Sequence, residues 1–227
     1  SKTIMKTFQT ITLMAGLVLM GCSQRSQYQQ TCAKHINEIV AAAPFEMPQI
    51  SLPQISDKVF SVVDYGADPS GATLCTEAFQ QAIDAANAAG GGTVLIPAGV
   101  YTTGPIVLKS NVRLYADYQS LVLFSDDFTL YPIKDAFFEG LNTKRCQSPI
   151  SALNAENIAI CGHGTFDGNG YAWRPLKQSK VTAAEWNKKI KTGVVNEAKG
   201  TWYPDSASLI AQAFCKDQNV PVLSEYA

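Results

Sequence analysis

Val59-Phe60-Ser61-Val62-Val63-Asp64-Tyr65-Gly66-Ala67-Asp68 opens the stretch that decides the fold. It reads as a short strand over Val59 to Val63 running into a turn at Asp68-Pro69-Ser70-Gly71. A helix follows, with Thr76 predicted as its N-cap and Glu77 in the favourable first turn. Phe79, Ala82, Ile83 and Ala86 fall at helical spacing and make one apolar face. Gly90 stops the helix, and Gly91-Gly92 lead into the strand Thr93 to Ile96.

Short apolar runs then recur: Ile106 to Leu108, Val112 to Tyr115 and Leu121 to Phe124. An irregular insert over 126–147 separates them from Ile150 to Leu153 and Ile158 to Cys161. Strands this short cannot bury an apolar face alone, whereas stacked coils can. A sandwich would need longer alternating strands joined by hairpin turns such as Asn169-Gly170, the one such dipeptide along this run. The predicted fold is therefore all-β, a right-handed parallel β-helix of which the chain holds the N-terminal cap and first coils.

Composition agrees. The 227 residues are 46% hydrophobic and 16% charged, as in a globular chain with a real core. A net charge of −1 gives no basic footprint for nucleic acid. Two histidines far apart, His35 and His163, and six cysteines without a CxxC argue for neither a metal nor a cofactor. Cys75 and Cys161, among apolar neighbours, are predicted to be buried free thiols.

The N-terminus has a different texture. Met5-Lys6 precedes an apolar run over Ile11 to Met20, suited to an export signal rather than a bilayer span. Leu19-Met20-Gly21-Cys22 resembles the lipobox of bacterial lipoproteins, which implies lipid attachment at Cys22 and a place in the cell envelope, on the outer membrane. Loss of 1–21 would remove Lys2 and Lys6 and leave a net charge of −3. Polar Ser23 to Gln30 reads as a tether, Ile36 to Ala43 as a short helix, and Pro44, Pro48 and Pro53 as an extended lead-in. The expected division is a leader over 1–21, a tether and lead-in over 22–56, solenoid over 57–170, and a partly helical insertion over 171–227, cut short there. In the insertion, Thr182-Ala183-Ala184-Glu185 spells a capping box, with Trp186 and Ile190 on the docking face of its helix. Trp202-Tyr203-Pro204-Asp205 reads as a loop, and Leu209 to Phe214 as a further helix.

Several of these segments together resemble the polygalacturonase family, glycoside hydrolase family 28, within the pectin-lyase-like superfamily. The likeness rests on Phe60 to Ala67, on Ala85 to Gly92, on Thr93-Val94-Leu95-Ile96-Pro97-Ala98-Gly99-Val100-Tyr101, on Asn157 to Gly164, and on Asp167-Gly168-Asn169-Gly170. The insertion, with Ala172-Trp173-Arg174-Pro175 and Trp202-Tyr203-Pro204, is similar to a branch found in lipoproteins of Bacteroides-like bacteria. The resemblance implies inverting hydrolysis of galacturonan or rhamnogalacturonan, with carboxyls about 6.5–9.5 Å apart and no metal. It also implies a pectic polysaccharide as partner and a membrane reached through the lipid anchor. No stretch of the chain matches the family's ordered aspartate set, so the chain itself is expected to be an inactive portion. A polysaccharide lyase on the same scaffold, or a non-catalytic glycan-binding or structural β-helix, is the alternative.

Two motifs imitate the family's chemistry. Gly162-His163-Gly164 spells the catalytic tripeptide but precedes the Asp-Gly-Asn-Gly turn, so His163 reads as a turn residue first and a catalytic one second. Asp126-Asp127 imitates the paired aspartates at the end of an early coil, where neighbouring side chains on a strand would diverge. Trp173, Arg174, Trp202 and Tyr203 could stack on sugar or pair with a uronate carboxylate; fastening the insertion to the solenoid is the plainer reading.

Overall fold

The computed structural model describes residues 34–49, 51–138, 140–206, 208 and 209. The expected leader, Cys22 and the expected tether over Ser23 to Gln30 lie outside those residues, as do 210–214 of the last expected helix. The chain divides into two compact units at Gln54/Ile55. In the first, residues 34–42 form helix α1, and Gln49 donates a side-chain hydrogen bond to Asn37 Oδ1.

The second unit opens with β1, Val59–Ser61, and β2, Ser70–Leu74. Helix α2, Thr76–Ala88, follows. The first full coil is β3, Gly92–Ile96, then β4, Gly99–Thr103, then β5, Ile106–Val107. The second is β6, Val112–Ala116, and β7, Ser120–Phe124; its third side is completed by β10, Ile150–Ser151. A hairpin of β8, Ile133–Phe138, and β9, Leu141–Cys146, intervenes before β10. A third coil begins with β11, Ala159–Gly162, and β12, Thr165–Asp167. Strands from successive coils pair in parallel, as β1-β3-β6-β11, β2-β4-β7-β12 and β5-β10. That stacking is the right-handed parallel β-helix.

Register explains the choice of residues. Phe60, Val94, Leu114 and Ile160 align across the first sheet, and Tyr101, Val122 and Phe166 across the second. Val94, Leu114, Tyr101 and Val122 are fully buried, so these rows point into the lumen. Ile160, in the same row on the third coil, is 51% exposed, because among the described residues no further strand lies beyond it. Asn111 and Asn157 repeat at one corner, both at positive φ (63° and 55°), with the Asn157 amide donating to Asn111 Oδ1 at 2.8 Å. Asparagine tolerates that backbone and bonds to its copy in the next coil.

The third sheet has one strand fewer at its start because α2 flanks β5 there. Its Phe79, Ala82, Ile83 and Ala86 are fully buried in the same core as Val94 and Ile106. The Gln80 side-chain amide closes the open edge of β5, accepting from the Val107 N–H at 2.9 Å and donating to its carbonyl at 3.1 Å. Gly90, at φ +82°, ends α2 with the two bonds of a Schellman turn, Gly91 N–H to Ala86 O and Gly90 N–H to Asn87 O.

Several local expectations change. β1 stops at Ser61, and Val62–Tyr65 is a 3-10 turn with Val62 buried. Ser70–Leu74 is a strand rather than part of a turn, started by Asp68, whose carboxylate accepts from the Ser70 N–H and from both the Ser70 and Thr73 hydroxyls. The N-cap of α2 is Cys75; Thr76 instead accepts from the Gly104 N–H at 2.6 Å, tying the helix to the coil. The supposedly irregular insert contains the antiparallel hairpin β8–β9, in which Phe138 pairs with Leu141. Cys75 is a buried thiol, whereas Cys161 is half-buried on the outer row.

Candidate functional site

The insertion begins where the solenoid's third coil ends. Asn169, at φ +50°, opens the one-turn helix α3, Gly170–Trp173, so Asn169-Gly170 makes no hairpin. After β13, Leu176–Lys177, the capping box of Thr182 and Glu185 is closed in both directions and starts α4, Ala183–Lys189. Trp186 is buried, whereas Ile190 is 39% exposed. β14, Val194–Asn196, and β15, Thr201–Tyr203, complete an antiparallel sheet in the order β13-β15-β14. Trp202 and Tyr203 therefore sit in a central strand, not a loop, and are 3% and 5% exposed. The Trp202 indole N–H donates to the Thr192 carbonyl.

Trp173 packs edge-on against Phe128 and Tyr131, with ring centroids 4.3 and 4.8 Å away. These two belong to the segment after β7, so the indole rivets the insertion to the second coil. Asp127 shapes that segment by accepting from the Thr129 N–H and hydroxyl at 3.0 and 2.6 Å, bonds that hold its pKa below the usual carboxylate range. Tyr131 donates to the Ser125 carbonyl at 2.8 Å, and burial, with a smaller contribution from the Asp126 charge, pushes its pKa up to about 12. Asp127 thus builds a turn, and Asp126 beside it bears on Tyr131 only through its charge.

His163 lies in the turn between β11 and β12, exposed, with its ring stacked on Tyr118 at 3.9 Å and 10°. Both His163 and Gly164 donate backbone bonds to the Ala116 carbonyl, at 2.8 and 3.0 Å. A Cβ at Gly162 would overlap that carbonyl, and one at Gly164 would overlap the Ser120 hydroxyl. The glycines that flank His163 are required by close approach to the coil beneath.

A different group of residues forms the most distinctive cluster. Lys189 Nζ lies 3.8 Å from the centroid of Tyr171 and 4.0 Å from that of Trp202, a cation held between two aromatic faces. Burial lowers the Lys189 pKa. Arg174, exposed, follows α3, and its guanidinium lies against Gly170. Among the described residues, neither cation has a carboxylate within ion-pair distance. Sequence reading singled out Trp173, Arg174, Trp202 and Tyr203 but passed over Tyr171 and Lys189. A signal existed: residues 170–206 carry seven basic and three acidic side chains, against six and twelve over 57–169. The cluster can stack and pair charge. None of Tyr171, Trp173, Arg174, Lys189 and Trp202 is a carboxylic acid, the group that protonates a glycosidic oxygen. Among the described residues no group of His, Cys, Asp or Glu is placed to hold a metal, and no helix is long and apolar enough to cross a membrane.

Residues 59–129 match the family described as rhamnogalacturonase A/epimerase, pectate lyase-like. Over 122 residues the chain is 35% identical to an exo-poly-alpha-D-galacturonosidase of Dickeya chrysanthemi, covering 50% of this chain and 20% of that protein. A shorter stretch of 63 residues is 51% identical to the mannuronan C5-epimerase AlgE3 of Azotobacter vinelandii, covering 24% of this chain and 3% of that one. Among solved structures, a hyperthermoactive exopolygalacturonase from Thermotoga maritima matches with a TM-score of 0.56 and 28% identity, over 85% of this chain and 39% of its own. The chain spans a fifth or less of the length of these two curated relatives. The coil register, the matched family model and the exopolygalacturonase likeness agree on a right-handed parallel β-helix, and along its first coils the chain is similar to polygalacturonase-like proteins.

Proposed function

We propose that this chain is the N-terminal part of an exported glycoside hydrolase that degrades pectic polysaccharide. The observation that carries the reading is the extent of the exopolygalacturonase likeness, 85% of this chain against 39% of that structure. It supports a role for these coils as the entrance to a longer solenoid. The reaction is inverting hydrolysis of galacturonan or rhamnogalacturonan, in which one carboxyl protonates the leaving oxygen while carboxylate partners activate water across the ring. Those carboxyls belong to coils in the part of the relatives' length that this chain does not span. In this chain Asp127 shapes a turn and His163 stacks on Tyr118, assignments that fit a structural rather than chemical role.

Export rests on the leader and on Cys22 as the lipid-bearing residue, which places the protein in the cell envelope, anchored at the outer membrane. Incorporation of labelled palmitate that disappears in Cys22→Ala checks this; retained label in the variant overturns it.

Reducing-sugar release from polygalacturonate, with product configuration followed by NMR, tests the chemistry. The longer protein is expected to release inverted products in the presence of chelator, and the 227-residue chain alone none. Activity of the chain alone would overturn the placement of the carboxyls. The pectate lyase-like description of the matched family supports a second reading, elimination on the same scaffold. A chelator-sensitive unsaturated product absorbing in the near ultraviolet would establish that reading instead.

A further inference from the structure

We propose that Tyr171, Lys189 and Arg174 form a binding site for an acidic polysaccharide on the insertion. Four observations carry it. The first is charge: an insertion with seven basic and three acidic residues projects from a solenoid with six and twelve. Opposite charge on a local surface steers and orients a polyanion.

The second is that this positive charge is not neutralised locally. Glu185 is turned into its capping box, accepting from the Thr182 N–H at 3.0 Å and hydroxyl at 2.8 Å. Asp205 accepts from the Ser208 N–H at 2.6 Å. Neither carboxylate lies within ion-pair distance of Lys189 or Arg174.

The third is preorganisation. The Lys189 ammonium is fixed by Tyr171 on one face and by Trp202 on the other. Trp202 is itself immobilised in β15 by burial and by its bond to Thr192. A flexible surface lysine loses side-chain entropy on binding an anion, whereas a clamped one has lost much of it already.

The fourth is shape. Tyr171 is 62% exposed despite its contact with Lys189, leaving aromatic surface for the C–H face of a sugar ring. Arg174, three residues further on, offers the planar fork that matches a carboxylate. A sugar chain with a carboxylate on each residue presents both features repeatedly. The site would hold such a chain away from the bond being cut and so raise the local substrate concentration.

The choice of uronate rests on the pectic reading above, and the test separates the two. Binding of hexagalacturonate, hexamannuronate and a neutral galactose hexamer to the full 227-residue chain is measured by calorimetry at low salt. Arg174→Gln and Lys189→Met are each expected to weaken hexagalacturonate binding about tenfold, the loss of one charge-assisted contact. Lys189→Arg keeps a cation between the rings and restores binding, and the neutral hexamer does not bind. Unchanged far-ultraviolet circular dichroism controls for folding, and Lys189→Met retains the alkyl stem. Unaltered affinity in both variants overturns the site and leaves the pectic reading standing. Binding of hexamannuronate alone, lost in both variants, supports the site and overturns the pectic reading. Equal binding of the neutral hexamer, or no uronate binding at all, overturns the site.

Discussion

The solenoid over 59–167 and the insertion over 170–206 are held together by different physics. In the solenoid, identical roles recur from coil to coil, so Val94 stacks under Leu114 and Tyr101 under Val122, all fully buried. Its strands are parallel and short, and their stability is a sum over neighbouring coils. The insertion has antiparallel strands of two or three residues, one buried tryptophan on α4, and a Trp173 rivet to the coil beneath. Charge divides the same way, acidic in the solenoid and basic in the insertion. The repeating part is set by coil register, and the irregular part is fastened to it at Trp173 without entering that register.

The sharpest way to break that contrast is at the solenoid's first end. Phe79 is fully buried, packed edge-on to Tyr101 with centroids 5.8 Å apart. Phe79→Ala leaves a cavity where α2 meets the coils and should cost about 3–5 kcal/mol. Because α2 closes the lumen and Gln80 satisfies the edge of β5, the loss should spread through the first coils as one cooperative unit. Denaturant unfolding followed by circular dichroism is the measurement. A loss below about 1 kcal/mol would show that α2 is an ornament rather than a cover.

The same contrast governs what could be read in advance. The solenoid was legible because its signals are local: a helix with an apolar stripe, glycines at its end, and apolar runs returning after about one coil. The cap of α2 was misplaced because Thr76 serves a distant partner, the Gly104 N–H. The hairpin β8–β9 was hidden since Ile133-Lys134-Asp135-Ala136 and Asn142-Thr143-Lys144-Arg145 are too polar to announce strands. Thr201–Tyr203 became a strand through its two neighbours, each joined by few residue pairs, and Pro204 just after it suggests a loop. The Tyr171–Lys189–Trp202 cluster draws on three separate segments and has no motif; the charge balance of the insertion was the one trace of it in the sequence.

A smaller effect follows from cutting the rivet. Trp173 makes two edge-on aromatic contacts, each worth about 0.5–1.5 kcal/mol beyond its burial. Trp173→Ala should therefore destabilise the docking of the insertion by about 1–3 kcal/mol and leave the unfolding of the coils nearly unchanged. Limited proteolysis reads the difference: faster cleavage between 174 and 200, at the many lysines there, with the core over 59–167 retained. Uniform degradation of both regions would mean that the insertion and the solenoid form one cooperative unit.

The smallest expected effect lies inside the insertion and depends on pH. The Glu185 carboxylate accepts from the Thr182 N–H and hydroxyl, and these bonds, the backbone one foremost, hold its pKa below the ordinary value. A depressed carboxyl stabilises the folded form fully above the unfolded-state pKa of about 4.3 and loses that contribution as pH falls through the lower folded value. The box should thus open under acid conditions and fray the first turn of α4. Amide exchange at Glu185, whose N–H donates to the Thr182 hydroxyl at 3.3 Å, reports it directly. Relative to intrinsic rates, its protection should fall between pH 5 and pH 3 in the native protein. In Thr182→Ala it should be low at both, while protection at Val94 and Leu114 in the coils responds to neither change. Equal protection of Glu185 at the two pH values would show that α4 is held by Trp186 burial alone, and that the insertion, like the solenoid, depends on its apolar contacts.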